Sequence, residues 1–159
     1  MNDIDVLGNF GEGYDTTLEW WQTDSHKNYL QNLTTHPQNM ERWRDVEIKY
    51  DINRYAFRSA QFEENTKNIM FFGCSHAVGV GLPLEWTFAK KVADELGLEL
   101  YNLAVSGGSN DFAYRLAQHW IPILKPEIVV YKTIEESRFE IKMTNNWNDG
   151  KPVWHGFLN

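Results

Sequence analysis

Residues 71–81 read Phe-Phe-Gly-Cys-Ser-His-Ala-Val-Gly-Val-Gly, and their order raises a chemical question. An apolar run stops at Gly73, the small polar trio Cys74-Ser75-His76 follows, and Gly79 and Gly81 come soon after. A glycine lets the chain turn sharply out of a buried strand, which sets Ser75 at the mouth of a following helix. There its hydroxyl is exposed and nearby backbone N–H groups point into the site, as a nucleophilic serine requires. A second small turn, Ser106-Gly107-Gly108, offers another N–H with no side chain in the way. Two such donors make an oxyanion hole, and losing one typically costs about 2.7–4 kcal/mol of transition-state stabilisation. A phosphate cradle is the competing chemistry. The stretch lacks the Gly-Lys-Ser/Thr ending of a P-loop and fails the G-x-G-x-x-G pattern, so nucleotide binding is not expected.

The elements that must position these residues are legible from residue 68 onward. The run NIMFFG is short, apolar and ended by glycine, as in a strand buried on both faces. In LEWTFAKKVADELG, Trp86, Ala89, Ala93 and Leu96 recur at helical spacing with Lys90, Lys91, Asp94 and Glu95 opposite, and Gly97 marks the stop. LELYNLAV reads as a second strand. SNDFAYRLAQHWIPIL reads as a second amphipathic helix, capped by Ser109 or Asn110, with Phe112, Leu116, Trp120 and Ile123 on one side. KPEIVVYKTI gives a third strand. Strand, helix, strand, helix, strand predicts a parallel sheet with right-handed crossovers. The tail FEIKMTNNWNDGKPVWHG carries two short runs around Asn-Asp-Gly, a hairpin signal.

In an open α/β sheet, ligands bind beyond the carboxyl ends of the strands. The three strand ends here carry GCSHAVGVG, NLAVSGGSN and YKTIEESR, small or polar residues that packing alone does not ask for. Any one of these turns by itself reads as an ordinary turn, since such turns need glycine and caps. Their common location is what marks a site. His76, Gly108, Asn110 and Glu135 are the candidates for substrate contacts. Cys74, at the strand end, reads as a small apolar packing residue.

The bulk properties bound the alternatives. The chain has 159 residues, 42% hydrophobic and 23% charged, with a formal net charge of −7. That length predicts one domain, and the acidic balance argues against nucleic acid as a partner. No apolar run approaches a membrane span, and the start MNDIDVLGNFGEG has neither a basic nor an apolar signal region. The single Cys excludes an internal disulfide framework and a cysteine zinc cage. A soluble, cytoplasmic protein without metal or cofactor is the expectation. Residues 1–60 are polar and rich in Trp, with no strong apolar period beyond one helix around residues 25 to 33, and read as an irregular N-terminal arm packed on an α/β domain over 61–159. The arm's Trp and Tyr residues suit stacking on a sugar ring or, more commonly, covering the sheet.

Taken together, FFGCSHAVGVGL, then YNLAVSGGSND, then RLAQHWIPILKPEIVVY resemble the SGNH (GDSL-like) hydrolase superfamily. Upstream, YDINRYAFRSAQF resembles the lead-in Y-x-x-N-x-x-G-F-R-S of some members, and the likeness spans about residues 50 to 140. The resemblance implies a three-layer α/β/α flavodoxin-like sheet and metal-free cleavage of esters, with Ser75 as nucleophile and Gly107 in the oxyanion hole. Cys74 stands where the family block has Asp. KTIEESR stands where the third block has Gly-x-Asn-Asp, and the literal Gly108-Ser109-Asn110-Asp111 follows the second strand instead. No Asp-x-x-His occurs, so the sheet reads as an incomplete, divergent or truncated version of the family's.

Ser75 needs a base. His155 alone comes late enough in chain order to imitate the family base, with Asp149 as the carboxylate that would orient it. His76 adjoins Ser75, and neighbours on a helical turn point about 100° apart, so it reads as lining the site. His119 reads as packed beside Trp120, and His26 and His36 as solvated. The favoured expectation is a serine esterase acting on a small acyl ester such as an acetylated saccharide. The rival is a catalytically inactive binding or assembly module that keeps the sheet and its pocket. Exposed sheet edges favour self-association into a homo-oligomer, or cover by the arm and the tail hairpin.

Overall fold

The apolar run at 68–72 forms the central strand of a parallel sheet. The computed structural model describes residues 7–8, 15–21, 23, 25–43, 45–144 and 152–158, with the backbone alone over 141–144 and 152–158. Strand β3 (Asn68–Phe72) is buried along its whole length. It pairs in parallel with β4 (Glu99–Asn102) on one side and β5 (Ile128–Tyr131) on the other, giving the order β4-β3-β5. Alternation along β3 divides the core. Ile69 and Phe71 pack with Leu100 against Ala89 and Ala93 of helix α4 (Phe88–Leu96). Met70 and Phe72 pack with Tyr101 and Leu103 against Ala113, Leu116, Trp120 and Leu124 of helix α5 (Asn110–Leu124). One helix therefore covers each face, the arrangement that right-handed crossovers from a central first strand produce.

Local signals set the helix ends. Thr87 caps α4 by accepting from the Lys90 N–H, and Gly97 closes it in the left-handed region (φ 65°). Ser109 caps α5 by accepting from the Phe112 N–H. Residues 84–86 form a separate 3-10 turn that Thr87 ends, so the helical phase begins at Phe88. Trp86 consequently leaves the inner face and is 44% exposed, contrary to the periodicity reading; Leu96, the last residue of α4, is 49% exposed, while Ala89 and Ala93 are fully buried. On α5, Leu116 and Trp120 are buried as expected, and Ile123 is exposed.

The first sixty residues, expected to be an irregular arm with one helix around residues 25 to 33, carry that helix and further regular elements. Strand β1 (Thr16–Trp20) pairs antiparallel with β2 (Ile48–Ile52). Helices α1 (His26–Thr35) and α2 (Pro37–Met40) lie between them in sequence. Ile48, Tyr50 and Ile52 are buried while Lys49 and Asp51 are exposed, the alternation of a one-sided sheet. The segment that follows seals the outer edge of β4. Ser59 Oγ donates to Leu100 O (3.3 Å) and accepts from Asn102 N–H (3.0 Å), and Tyr101 Oη bridges the backbone of Glu63. A buried hydroxyl placed on an unpaired edge satisfies groups that would otherwise template another strand. On the opposite side, Ile128, Val129 and Tyr131 of β5 are each about two-fifths exposed.

The tail forms the predicted hairpin: β6 (Arg138–Thr144) pairs antiparallel with β7 (Pro152–Leu158). The hairpin does not extend the parallel sheet. It meets α5, where Arg115 and Glu140 form an ion pair at 3.0 Å with both side chains largely buried. No helix among the described residues is long and apolar enough to cross a membrane.

Candidate functional site

The carboxyl ends of the three parallel strands meet at Gly73. Val105 N–H, just beyond β4, donates to Gly73 O (3.0 Å). Lys132, just beyond β5, donates its N–H to Phe72 O (2.9 Å). A side chain on Gly73 would press on Ala77 and Lys132, whose Cβ atoms lie 3.1 and 3.2 Å from the position it would take. Glycine here lets the end of β5 and the next turn close together.

Helix α3 (Ser75–Val78) opens directly after this point, with the Cys74 carbonyl accepting from Ala77 and Val78 N–H. Ser75 is half-buried at its first position. Neither its Oγ nor its N–H makes a hydrogen bond among the described residues. Gly79 (φ 74°) closes the turn and donates to Ser75 O. The left-handed conformation alone disfavours a side chain there, and a Cβ would also overlap the buried Thr87 side chain. Gly79→Ala is expected to cost about 2–5 kcal/mol, combining backbone strain with overpacking. Gly97→Ala, with equal φ sign and open space, is expected to cost only about 1–2 kcal/mol. Urea denaturation midpoints of the two variants check the difference.

The second turn lies alongside. Gly108 is buried and donates to Val105 O (3.0 Å), and a Cβ there would come within 3.8 Å of Gly73 O. Gly107 is exposed at φ 74° with nothing near its Cβ position, and its N–H has no partner among the described residues. Two residues outside the expected set hold these turns. Asn102, 1% exposed, donates from Nδ2 to Ala77 O (2.8 Å) and accepts from Ala104 N–H, so it ties the end of β4 to α3. Arg58, 2% exposed, grips the segment after α3 through Val78 O, Gly79 O and Leu82 O. A buried Asn at a strand end and an Arg within an apolar stretch are detectable as polar residues that need partners. Which carbonyls they serve is a tertiary fact.

The other expected site residues divide. His76 is exposed beside Ser75, and Glu135 is exposed in the loop after β5. The Asn110 amide is engaged at both ends: Nδ2 donates to Ile134 O and Oδ1 accepts from Ile134 N–H, each at 2.9 Å. In this way it latches α5 to the loop after β5, where Tyr131 Oη also donates to Asn110 O (2.7 Å). Burial, with the Asp111 carboxylate adding to it, pushes the Tyr131 phenol up, so the hydroxyl stays a donor at neutral pH. Cys74 is buried in the α5-side core with Phe72, Val105 and Ile134. His119 sits edge-on to Trp120 at 4.9 Å. His155 lies on β7 opposite Ile141, one position along from Glu140, whose N–H reaches Asp111 at the start of α5. Asp149 lies outside the described residues.

Chemically, the strand-end loops present the Ser75 hydroxyl, and the N–H groups of Ser75 and Gly107 are among the backbone donors there that have no partner within the described residues. Such donors suit an oxygen that gains negative charge. Comparison with protein-family models, curated proteins and solved structures finds no match to the chain.

Proposed function

We propose that the chain is an SGNH-like serine ester hydrolase built on a flavodoxin-like α/β/α sheet. The observation that carries this reading is the location of Ser75. Ser75, a half-buried residue whose hydroxyl is unengaged among the described residues, opens a helical turn at the carboxyl end of the central strand, next to the Val105–Gly108 turn. In the proposed reaction, Ser75 Oγ attacks the ester carbonyl carbon and its proton passes to the base. The carbonyl oxygen, now anionic, is held by the N–H groups of Ser75 and Gly107. Collapse of this intermediate expels the alcohol, which takes the proton from the base, and water then releases the acid from the acyl-enzyme. His155 is the proposed base and Asp149 its orienting carboxylate. The substrate proposed is a small acyl ester such as an acetylated saccharide. His76, Gly108 and Glu135 are proposed to line the substrate side. Asn110 is left out because both ends of its amide serve Ile134.

A serine-reactive fluorophosphonate tests the reading. Covalent labelling that maps to the peptide containing Ser75, and that disappears in Ser75→Ala, is the expected result. Absence of labelling under conditions that label a control serine esterase overturns catalysis and leaves the binding or assembly module.

A further inference from the structure

The two outer strands of the parallel sheet are treated differently. The outer edge of β4 is closed by Ser59, whose hydroxyl serves both Leu100 O and Asn102 N–H. β5 has β3 on one side and no strand on the other among the described residues. Lys132 N–H donates to Phe72 O, and this sets the alternation: the backbone groups of Val130 face β3, and those of Val129 and Tyr131 face outward. The strand lacks the usual guards of an edge. Ile128-Val129-Val130-Tyr131 contains no charge and no proline, and Ile128, Val129 and Tyr131 are 38%, 41% and 38% exposed. An edge of this kind templates another strand.

We infer that β5 pairs antiparallel with β5 of a second copy of the chain about a two-fold axis, joining two sheets into one. Directly opposed residues lie on the same face of a sheet, so the axis falls on a residue and not between two. With the axis at Val130, Val129 opposes the second copy's Tyr131, and each exchanges both of its outward backbone bonds. A β-branched side chain against an aromatic ring is a favourable cross-strand pair. The charges agree with the same direction. Glu127 precedes the strand and Lys132 follows it, so antiparallel pairing sets each glutamate at the end where the second copy carries its lysine. Parallel pairing would set like charge by like. Because the β4 edge is closed, growth stops at two copies. The paired strand is only 4 residues long, which makes a small contact. The dimer is therefore weak, with a dissociation constant of about 10–100 µM. The pairing uses no atom of Ser75 and does not depend on ester hydrolysis.

Sedimentation equilibrium of the intact chain over about 5–500 µM tests the inference. The expected result is an average mass that rises with concentration from 18.6 kDa toward twice that value and levels there. Val129→Lys, which sets a charge on the edge, is expected to weaken the dimer at least roughly tenfold with an unchanged urea midpoint. Glu127→Lys and Lys132→Glu are each expected to weaken it about threefold or more, since like charges then meet at both ends of the paired strands. The double reversal Glu127→Lys/Lys132→Glu should restore it. Glu127→Lys also reduces the net charge of −7, which by itself favours association, so a weaker dimer reports the direction of pairing. A mass that stays at one chain throughout overturns the inference. So does a mass that passes two copies without levelling, or a dimer that withstands Val129→Lys and both single reversals.

Discussion

Ser75→Ala is expected to lower hydrolysis of p-nitrophenyl acetate by roughly 10⁴-fold or more, the scale on which removal of a catalytic serine acts. The variant should fold normally. Ser75 Oγ makes no hydrogen bond among the described residues, so its removal is expected to shift stability by less than about 0.5 kcal/mol. Loss of activity with an unchanged denaturation midpoint separates chemistry from folding. The histidines give a contrast in the same assay. His155→Ala should lower kcat by a similar order if it takes the serine proton, whereas His76→Ala should act mainly on KM. Turnover that survives Ser75→Ala would assign the reaction to another group.

Arg58→Ala is expected to carry the largest stability loss. The guanidinium is buried between two parts of the chain. It donates to Val78 O (3.2 Å), Gly79 O (2.9 Å), Leu82 O (2.8 Å) and Lys49 O (3.3 Å), and its carbon lies 3.7 Å from the centre of the Tyr50 ring. Burial pulls it down to about 10, which still leaves it charged at neutral pH. Tyr50 Oη in turn accepts from Gly81 N–H (2.8 Å). Truncation strands several buried carbonyls at once and opens a void against Tyr50, at an expected cost of about 3–5 kcal/mol. That is a large part of the roughly 5–15 kcal/mol by which a domain is stable. Arg58→Lys should recover only a fraction, because an ammonium cannot span carbonyls that a planar fork reaches together. Urea denaturation followed by tryptophan fluorescence measures both. A shift below about 1 kcal/mol for Arg58→Ala would mean that the latch does not hold the two parts together.

These two residues differ in how readable they are. Ser75 announces itself locally, by a glycine after an apolar run and a helix start, and Gly107 does the same after the second strand. The five residues of β3 and the Ser109 cap of α5 were legible for the same reason, since strand burial and capping are written in adjacent residues. Arg58 and Asn102 are not legible in that way. Most of their partners lie 20 to 25 residues distant in sequence, and nothing local names those carbonyls. Strand β2 hides for a related reason. Its apolar positions 48, 50 and 52 alternate as a strand should, but its partner β1 lies some thirty residues upstream across two helices. The α4 periodicity misplaced Trp86 because the 3-10 turn before Thr87 breaks the helical phase that spacing alone assumes.

In the proposed site, the Ser75 hydroxyl and the Ser75 and Gly107 amides act on one bound ester carbonyl. A crystal structure of the chain after reaction with a phosphonate tests it most directly. Phosphorus bonded to Ser75 Oγ is the expected result, with one phosphoryl oxygen about 2.7–3.1 Å from both backbone nitrogens. A phosphonate on Ser75 whose oxygens reach neither amide, or one attached to a different residue, would contradict it.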